Sequence, residues 1–379
     1  MAEFLQLVES IQSEAASAEK LFGGEGMRIA PRSNPEYTKG LAEAANLCAN
    51  LVKYGRQRDA VTFTEALGTS DFPIYFGDIL DRQVLASYAE APYSYNQWAK
   101  VSQVNDFRPA KRYAQDGGQG QLKPVDEFGE YKAVTRGESQ LQFSVKKFGA
   151  RFDISWEATI DDYLNLLTDQ PTRFGVASRR TEEHEATKLL FTTDFFGTGA
   201  GSNDNLMTSN PLTVQNLQAA IEKFTSKKDV DGEPIMVGPA ILMVPPALEV
   251  TANNILNATE FLVWDGGVEG FQMRTANWLQ NKLKIVVNHY LPVLDPTNGN
   301  KTWYLMADAN AARGAVEFSF LRGHSSPEMF MKSPNAVAIG GGASDAMVGD
   351  FDHDAIGYKL RHIMGGTTID PKCALKSVG

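Results

Sequence analysis

Glu182-Glu183-His184-Glu185 is the densest set of side chains in this sequence that could move a proton or hold a metal ion. A zinc-protease helix places a second histidine four residues after the first, so that both face one ion. Here that position is Lys188, and with Arg179 and Arg180 just upstream the cluster reads as an ion-paired helix surface. Gly197-Thr198-Gly199-Ala200-Gly201 lacks the third glycine of a dinucleotide turn, and no Gly-Lys-Ser/Thr phosphate loop occurs. Gly342-Ala343-Ser344-Asp345-Ala346 departs from a nucleophile elbow at its last position. Asp161 and Asp162 are neighbours along a helical stretch and point to different faces. His289, His324, His353 and His362 are scattered without ligand spacing. The residues therefore compose no active site, no metal site and no cofactor site, and the expectation is a protein that is not an enzyme.

The elements that carry these residues show a different signal. Leu141, Phe143 and Val145 alternate with Gln142, Ser144 and Lys146, the period of a strand with one covered face. The limb before it, Phe107 to Leu122, is basic and glycine-rich, with Arg108, Lys111, Arg112, Gly117, Gly118 and Gly120. Together they read as a long two-stranded ribbon, which is marginal alone in water and needs a surface to lie on. Between residues 107 and 150 there are eight Lys or Arg against five Asp or Glu, a local +3 on a chain of net −10, which leaves −13 elsewhere. A cationic ribbon on an anionic body suits a second copy of the same chain as partner. The overall acidity argues against a general nucleic-acid binder.

At 379 residues, 43% hydrophobic and 22% charged, the chain is long enough for two or three domains with ordinary cores. Cys48 and Cys373 sit far apart and give no redox spacing, which fits a reducing compartment. Glu3 and Glu9 stand where a signal peptide would be basic. The apolar run Pro234 to Leu248 is broken by Pro239, Pro245 and Pro246 and is too short to span a bilayer, so no membrane partner is expected.

Two amphipathic helices lead the chain. The first carries Phe4, Leu7, Val8, Ile11, Ala15, Ala18 and Phe22 on one face and ends at Gly23-Gly24. The second runs from Asn34-Pro35 to Gly55 with the stripe Tyr37, Leu41, Ala44, Cys48, Leu51. Phe72 to Val101 reads as body. After the ribbon the buried parity shifts from odd to even numbers (Phe148, Ala150, Phe152, Ile154), which predicts a β-bulge between Lys146 and Gly149. Trp156 to Leu167 reads as one helix and Pro171 to about Phe191 as another, with Phe174, Ala177, Thr181, His184, Lys188 and Phe191 on its stripe. At the standard rise this second helix is about 31 Å long.

From Leu212 helix and strand alternate. Helix is expected at Val214 to Phe224 and again from Pro246, and strand at Ile235 to Val244 and at Leu283 to Val287. Asn298-Gly299 predicts a hairpin into Trp303 to Met306, and the tail reads as strands Ile356 to Ile363 and Thr367 to Leu375. Ala336 to Gly349 is rich in Gly, Ala and Ser and reads as a loop.

Eight stretches in this order carry a resemblance. They are DFRPAKRY (106–113), LKPVDEFGEYK (122–132), FDISWEATIDDYLNLL (152–167), PTRFGVASRRTEEHEATKLL (171–190), GPAILMVPPALEVTANNIL (238–256), WYLMADAN (303–310), FLRGHSSPEMF (320–330) and YKLRHIMGGTTIDPKCALKS (358–377). From about residue 72 to its end the chain resembles the tailed-bacteriophage major capsid proteins with the Hong Kong 97-type (HK-97-like) fold, including the branch with Mu-like major head subunits. The resemblance implies an α+β chain with an N-terminal arm over 1–60 and a peripheral domain over 61–106, 151–211 and 326–379, with its spine helix near 171–191. It also implies an E-loop over 107–150 and an axial domain over 212–325.

It further implies inter-subunit contacts from the E-loop residues Arg108, Lys111, Arg112, Lys123, Phe128, Tyr131 and Lys132, and spine-helix packing through Phe174, His184 and Phe191. Because one sequence must then fit slightly different places in a closed shell, hinges are expected at Gly149 and at the glycines of 117–120. The implied partners are many copies of itself in hexamers and pentamers, with portal, scaffolding and decoration proteins. Packaged double-stranded DNA would be touched only non-specifically. The implied location is the virion, with assembly in the host cytoplasm. Encapsulin nanocompartments share the fold and enclose proteins, so they are the rival reading, with an enzyme behind them. If Gly149 is a hinge, Gly149→Val blocks assembly, and normal shells from that variant in electron micrographs would refute the hinge.

Overall fold

The computed structural model describes residues 2–22, 35–54, 72–116, 125, 137–155, 164–198, 203–228, 232–264, 272–311, 314–332 and 355–379. Along the chain the strands are β1 (Lys100–Val104), β2 (Ala110–Asp116), β3 (Gly137–Phe143), β4 (Lys146–Ser155) and β5 (Leu206–Met207). Then follow β6 (Ile241–Val244), β7 (Glu260–Trp264), β8 (Gln272–Ala276), β9 (Lys284–Val287) and β10 (Thr302–Met306). The last are β11 (Val316–Leu321), β12 (Glu328–Met331), β13 (Ala355–Thr368) and β14 (Ala374–Val378). The chain divides into two compact units, one from residues 1–92, 147–180 and 324–363, the other from 93–146, 181–323 and 364–379.

In the first unit the helical stripes read from the sequence become its core. Phe4, Val8 and Ile11 of helix Ala2–Phe22 are buried with Leu41, Ala44 and Cys48 of helix Pro35–Tyr54 and with Phe76, Ile79 and Leu80 of helix Phe72–Glu90. Tyr358 of β13 joins them, with Phe152, Met329 and Met331 packed against the cluster. The two leading helices thus dock inside the chain's own core. Burial pushes the Cys48 thiol up to about 12.

Of the helix expected at Trp156 to Leu167, residues 156–163 lie outside the described residues; the helix expected from Pro171 begins earlier, as Leu164–Leu189, with Pro171 inside it. Its 26 residues make a rod of about 39 Å. Pro171 is its eighth residue, past the first turn, where a proline forgoes one helical bond and crowds the carbonyl four residues before it. Further along, a Cβ on Gly175 would lie 2.6 Å from the Val84 carbonyl oxygen, so glycine lets this helix meet helix Phe72–Glu90 backbone to backbone. The Arg179 guanidinium lies 3.7 Å from the Tyr88 ring centroid and its Nε donates to the Tyr88 carbonyl at 2.9 Å.

The second unit holds a sheet in the order β5-β14-β10-β6-β9. β10 lies at its middle, antiparallel to β14 and to β6, while β6 and β9 run parallel. β6 and β10 are buried on both faces, as their unbroken apolar sequences Ile241–Val244 and Trp303–Met306 require. Helix Val214–Thr225 buries Leu217, Ala220, Ile221 and Phe224 and is capped by Thr213, whose hydroxyl accepts from the Asn216 N–H. The strand expected from Ile235 begins only at Ile241.

Asn298-Gly299 does not close a hairpin. It follows the short helix Leu291–Leu294, and β10 pairs with β6 and β14. Gly299 is needed there because a Cβ would lie 2.5 Å from the Asp295 carbonyl oxygen, and its N–H donates to that same carbonyl. The tail is the expected pair of strands with a different boundary: β13 runs unbroken from Ala355 to Thr368 through Gly365-Gly366, and β14 follows at Ala374–Val378. Those glycines mark close approach instead of a break: a Cβ on Gly365 would lie 2.6 Å from the Ser144 carbonyl oxygen, and one on Gly366 2.6 Å from that of Glu317. Gly299→Ala is expected to cost about 1–3 kcal/mol, by the usual price of overpacking, and to lower the melting temperature seen by calorimetry.

Candidate functional site

The expected ribbon is present. β2 and β3 pair antiparallel, with Ala110 opposite Phe143, Arg112 opposite Leu141, Tyr113 opposite Gln140 and Asp116 opposite Gly137. Among the described residues neither strand pairs with a third. Phe143 and Val145 are buried while Gln142, Ser144 and Lys146 are exposed, as the alternation requires. Just before the segment where the parity change was expected, the ladder has a two-residue break at Ser144-Val145, after which β4 pairs with β13. Changing partner resets the register at no cost in ladder bonds.

Of the expected contact residues, Arg108 and Lys111 are exposed at the start of the ribbon. Phe107 is 47% and Tyr113 62% exposed, large apolar surfaces beside those cations. Lys123, Phe128, Tyr131 and Lys132 lie outside the described residues, as does the loop expected at Ala336 to Gly349.

Arg112 is engaged within the chain. Its Nε donates to both carboxylate oxygens of Glu317 at 3.0 Å, and its Nη2 donates to Oε1 at 2.7 Å. The Ser102 hydroxyl donates to the same Oε1 and lies 2.6 Å from the Ser319 hydroxyl. Glu317 is only 3% exposed. Burial by itself pushes its carboxyl up, but the hydrogen bonds from Arg112 and Ser102, with the charges of Arg112 and Lys100, outweigh that and hold it below the usual glutamate range. The Phe143 ring lies 5.6 Å from the Arg112 guanidinium carbon. One buried carboxylate thus ties β1, β2 and β11 together at the root of the ribbon.

Gly149 has a packing reason to be glycine, since a Cβ there would lie 2.5 Å from the Leu360 carbonyl oxygen. A substitution at this position is felt in the fold before any assembly step, so its test needs a folding control. The three spine-helix residues are each half-buried: Phe174 stacks on Phe152 at 5.1 Å, His184 meets Tyr290 edge-on at 5.7 Å, and Phe191 lies 5.4 Å from the Lys376 ammonium.

The reading of Glu182 to Glu185 as a helix surface is corrected in half. Glu185 pairs with His184 and Lys188 near the surface. Glu182 and Glu183 are buried, at 0% and 8% exposure. Glu182 accepts from the Tyr95 hydroxyl at 2.9 Å, and Glu183 from the backbone N–H groups of Ser94 (2.8 Å) and Tyr95 (3.1 Å), the Ser94 hydroxyl and the Asn288 amide. These carboxylates tie the turn at residues 94–95 to the helix. Arg179, expected among the ion pairs of this cluster, also bonds to Tyr88 as described above. Among the described residues no group of three or more His, Cys, Asp or Glu is arranged to hold a metal ion.

Glu317 was missed, although a signal existed. It is the lone charge in Val316–Leu321, and a carboxylate inside a strand that reads as apolar demands a cation or donors nearby. Arg112→Ala is expected to cost about 1–3 kcal/mol, less than a fully buried pair because the guanidinium is 36% exposed. Arg112→Ala with Glu317→Gln should cost less than Arg112→Ala alone, read by denaturant unfolding. The pair's contribution is full above the ordinary glutamate pKa of about 4.3 and is lost as pH falls through the lower folded value.

A family profile described as phage capsid protein matches residues 138–377. Among solved structures, the capsid of cyanophage P-SCSP1u is similar over 76% of this chain and 89% of its own, at 10% identity and a TM-score of 0.49. The capsid of a native GTA particle is similar over 75% and 89%, at 11% identity and a TM-score of 0.47. The SrpI encapsulin of Synechococcus elongatus PCC 7942 is similar over 74% and 84%, at 11% identity and a TM-score of 0.41. No curated protein matches.

Proposed function

The chain belongs to the phage capsid protein family, and on that premise we propose how this capsid subunit builds the shell of the virion. Copies close into hexamers and pentamers around double-stranded DNA, in the Hong Kong 97-type arrangement. Residues 107–150 serve as the E-loop, helix Leu164–Leu189 as the spine of the peripheral domain, and residues 212–325 as the axial domain. Residues 1–60 supply an arm whose two helices dock on helix Phe72–Glu90. The role is structural and not catalytic, assembly takes place in the host cytoplasm, and portal, scaffolding and decoration proteins complete the head.

The observation that carries this reading is the ribbon. A two-stranded ladder with exposed Tyr113 and Lys111, led by exposed Phe107 and Arg108, has its root fixed to its own unit. An apolar and cationic strip of this kind matches an anionic neighbour of the same sequence, and contacts repeated around a closed ring gain avidity. DNA inside the shell would be held at phosphate level and in a salt-dependent way. Among the described residues no helix is long and apolar enough to cross a membrane.

Purified protein is expected to form uniform closed particles in electron micrographs and to elute far above 41.5 kDa on size exclusion. Monomers alone at tens of micromolar would overturn the reading. Particles recovered from host cells that hold a dedicated protein cargo would favour the encapsulin-like alternative.

A further inference from the structure

We infer that Glu317 fixes which side of the ribbon meets a neighbouring copy, and that the presented side is the one carrying Lys111, Tyr113, Gln140 and Gln142. The inference rests on the shell reading and adds to it a face and the residue that selects it.

The argument starts from the strand pair under the ribbon. β1 and β11 run parallel, with Lys100 beside Glu317 and Ser102 beside Ser319. Ser102, Glu317 and Ser319 therefore share one face, while Phe318 and Phe320 point to the other and pack on Tyr95. A face bearing a carboxylate and two hydroxyls ordinarily lies in water, yet Glu317 is 3% and Ser319 0% exposed. The root of the ribbon covers it, through the Arg112 guanidinium with the Phe143 ring against it.

Register then divides the ribbon. Ala110 pairs with Phe143 and Arg112 with Leu141, which places these four on the inward side. Lys111 pairs with Gln142 and Tyr113 with Gln140, and all four are exposed. A strand ribbon rotated by one residue would exchange the two sets completely. Two devices prevent that. The Arg112 fork matches Glu317 in two-point geometry, which a lysine could not do. The return limb ends at Ser144-Val145 against Gly365, where no Cβ is tolerated. The remaining outward strip has one cation and one aromatic of 62% exposure, on a chain of net −10, so the anionic surface of a second copy is the occupant that its charge and shape fit. Tyrosine is also the residue type enriched at interface hot spots.

The test has two arms on the full chain. In the first, Tyr113→Ala is expected to raise the concentration needed for assembly at least tenfold by light scattering, with hydrogen exchange of unassembled subunits unchanged. In the second, Glu317→Gln, and Arg112→Gln in case the first variant folds poorly, are expected to speed amide exchange at least tenfold over Ala110–Asp116 and Gly137–Phe143. Exchange over Ile241–Val244 and Thr302–Met306 should stay as in the parent. Assembly of Tyr113→Ala at the parent concentration would overturn the presented face. Ribbon exchange unmoved in both clasp variants, or moved equally with β6 and β10, would overturn the role of Glu317. A parent protein that never assembles defeats the shell reading itself, and the exchange arm still decides the clasp.

Discussion

A carboxylate taken out of water must be matched by donors held in place, and Glu317 meets that demand with donors from two segments 215 and 205 residues before it. Ser102 comes from the edge strand, Arg112 from the ribbon, and Glu317 from the strand between β1 and β13. The buried charge contributes little net stability by itself. Its effect lies in geometry: any ribbon position that separates Arg112 from Glu317 leaves an uncompensated ion. A two-stranded ribbon, marginal by itself in water, needs its root defined in this way.

The same logic recurs elsewhere in the same unit, the second. Glu183 receives the backbone of residues 94 and 95, and the Asn288 amide reaches both Glu183 and Thr187. The Asn277 amide donates to the carbonyls of Ile255 and Ala258 at the end of helix Glu249–Asn257, where no helical partner remains. Asn205 donates to the carbonyls of Phe195 and Pro371 and accepts from the Gly197 N–H. Loops in this unit are held by buried amides and carboxylates, each with its partners in place, which keeps them ordered where apolar packing alone would allow several arrangements.

Much of the fold could be read in advance where periodicity was strong. The stripes of the two leading helices, the ribbon's alternation and the apolar strands β6 and β10 all stand as their patterns require. The failures share a cause. Locally, Pro171 signals a helix start, Asn298-Gly299 a hairpin turn and Gly365-Gly366 the gap between two strands. Tertiary packing had given each another use: a tolerated helix interior, a tight turn between helix and strand, and close approach of two backbones. Glu182 and Glu183 were read as surface because their donors, Ser94, Tyr95 and Asn288, lie about ninety to a hundred residues away. A local pattern holds no information about a partner at that distance. For the same reason the Arg112–Glu317 pair was invisible, although the isolated glutamate in an apolar strand hinted that something had to answer it.

The chain has only two thiols, and both are sealed. Cys373 has no exposed surface, and Cys48 is held protonated by its apolar surroundings well into alkaline solution. Neither is in a state to react with maleimides or to oxidise while the fold is intact. The subunit is in effect a cysteine-free background in its native form, so a single thiol engineered onto its surface would carry a fluorophore or spin label with no competing chemistry. The appearance of reactivity in the parent chain would report that a core has opened.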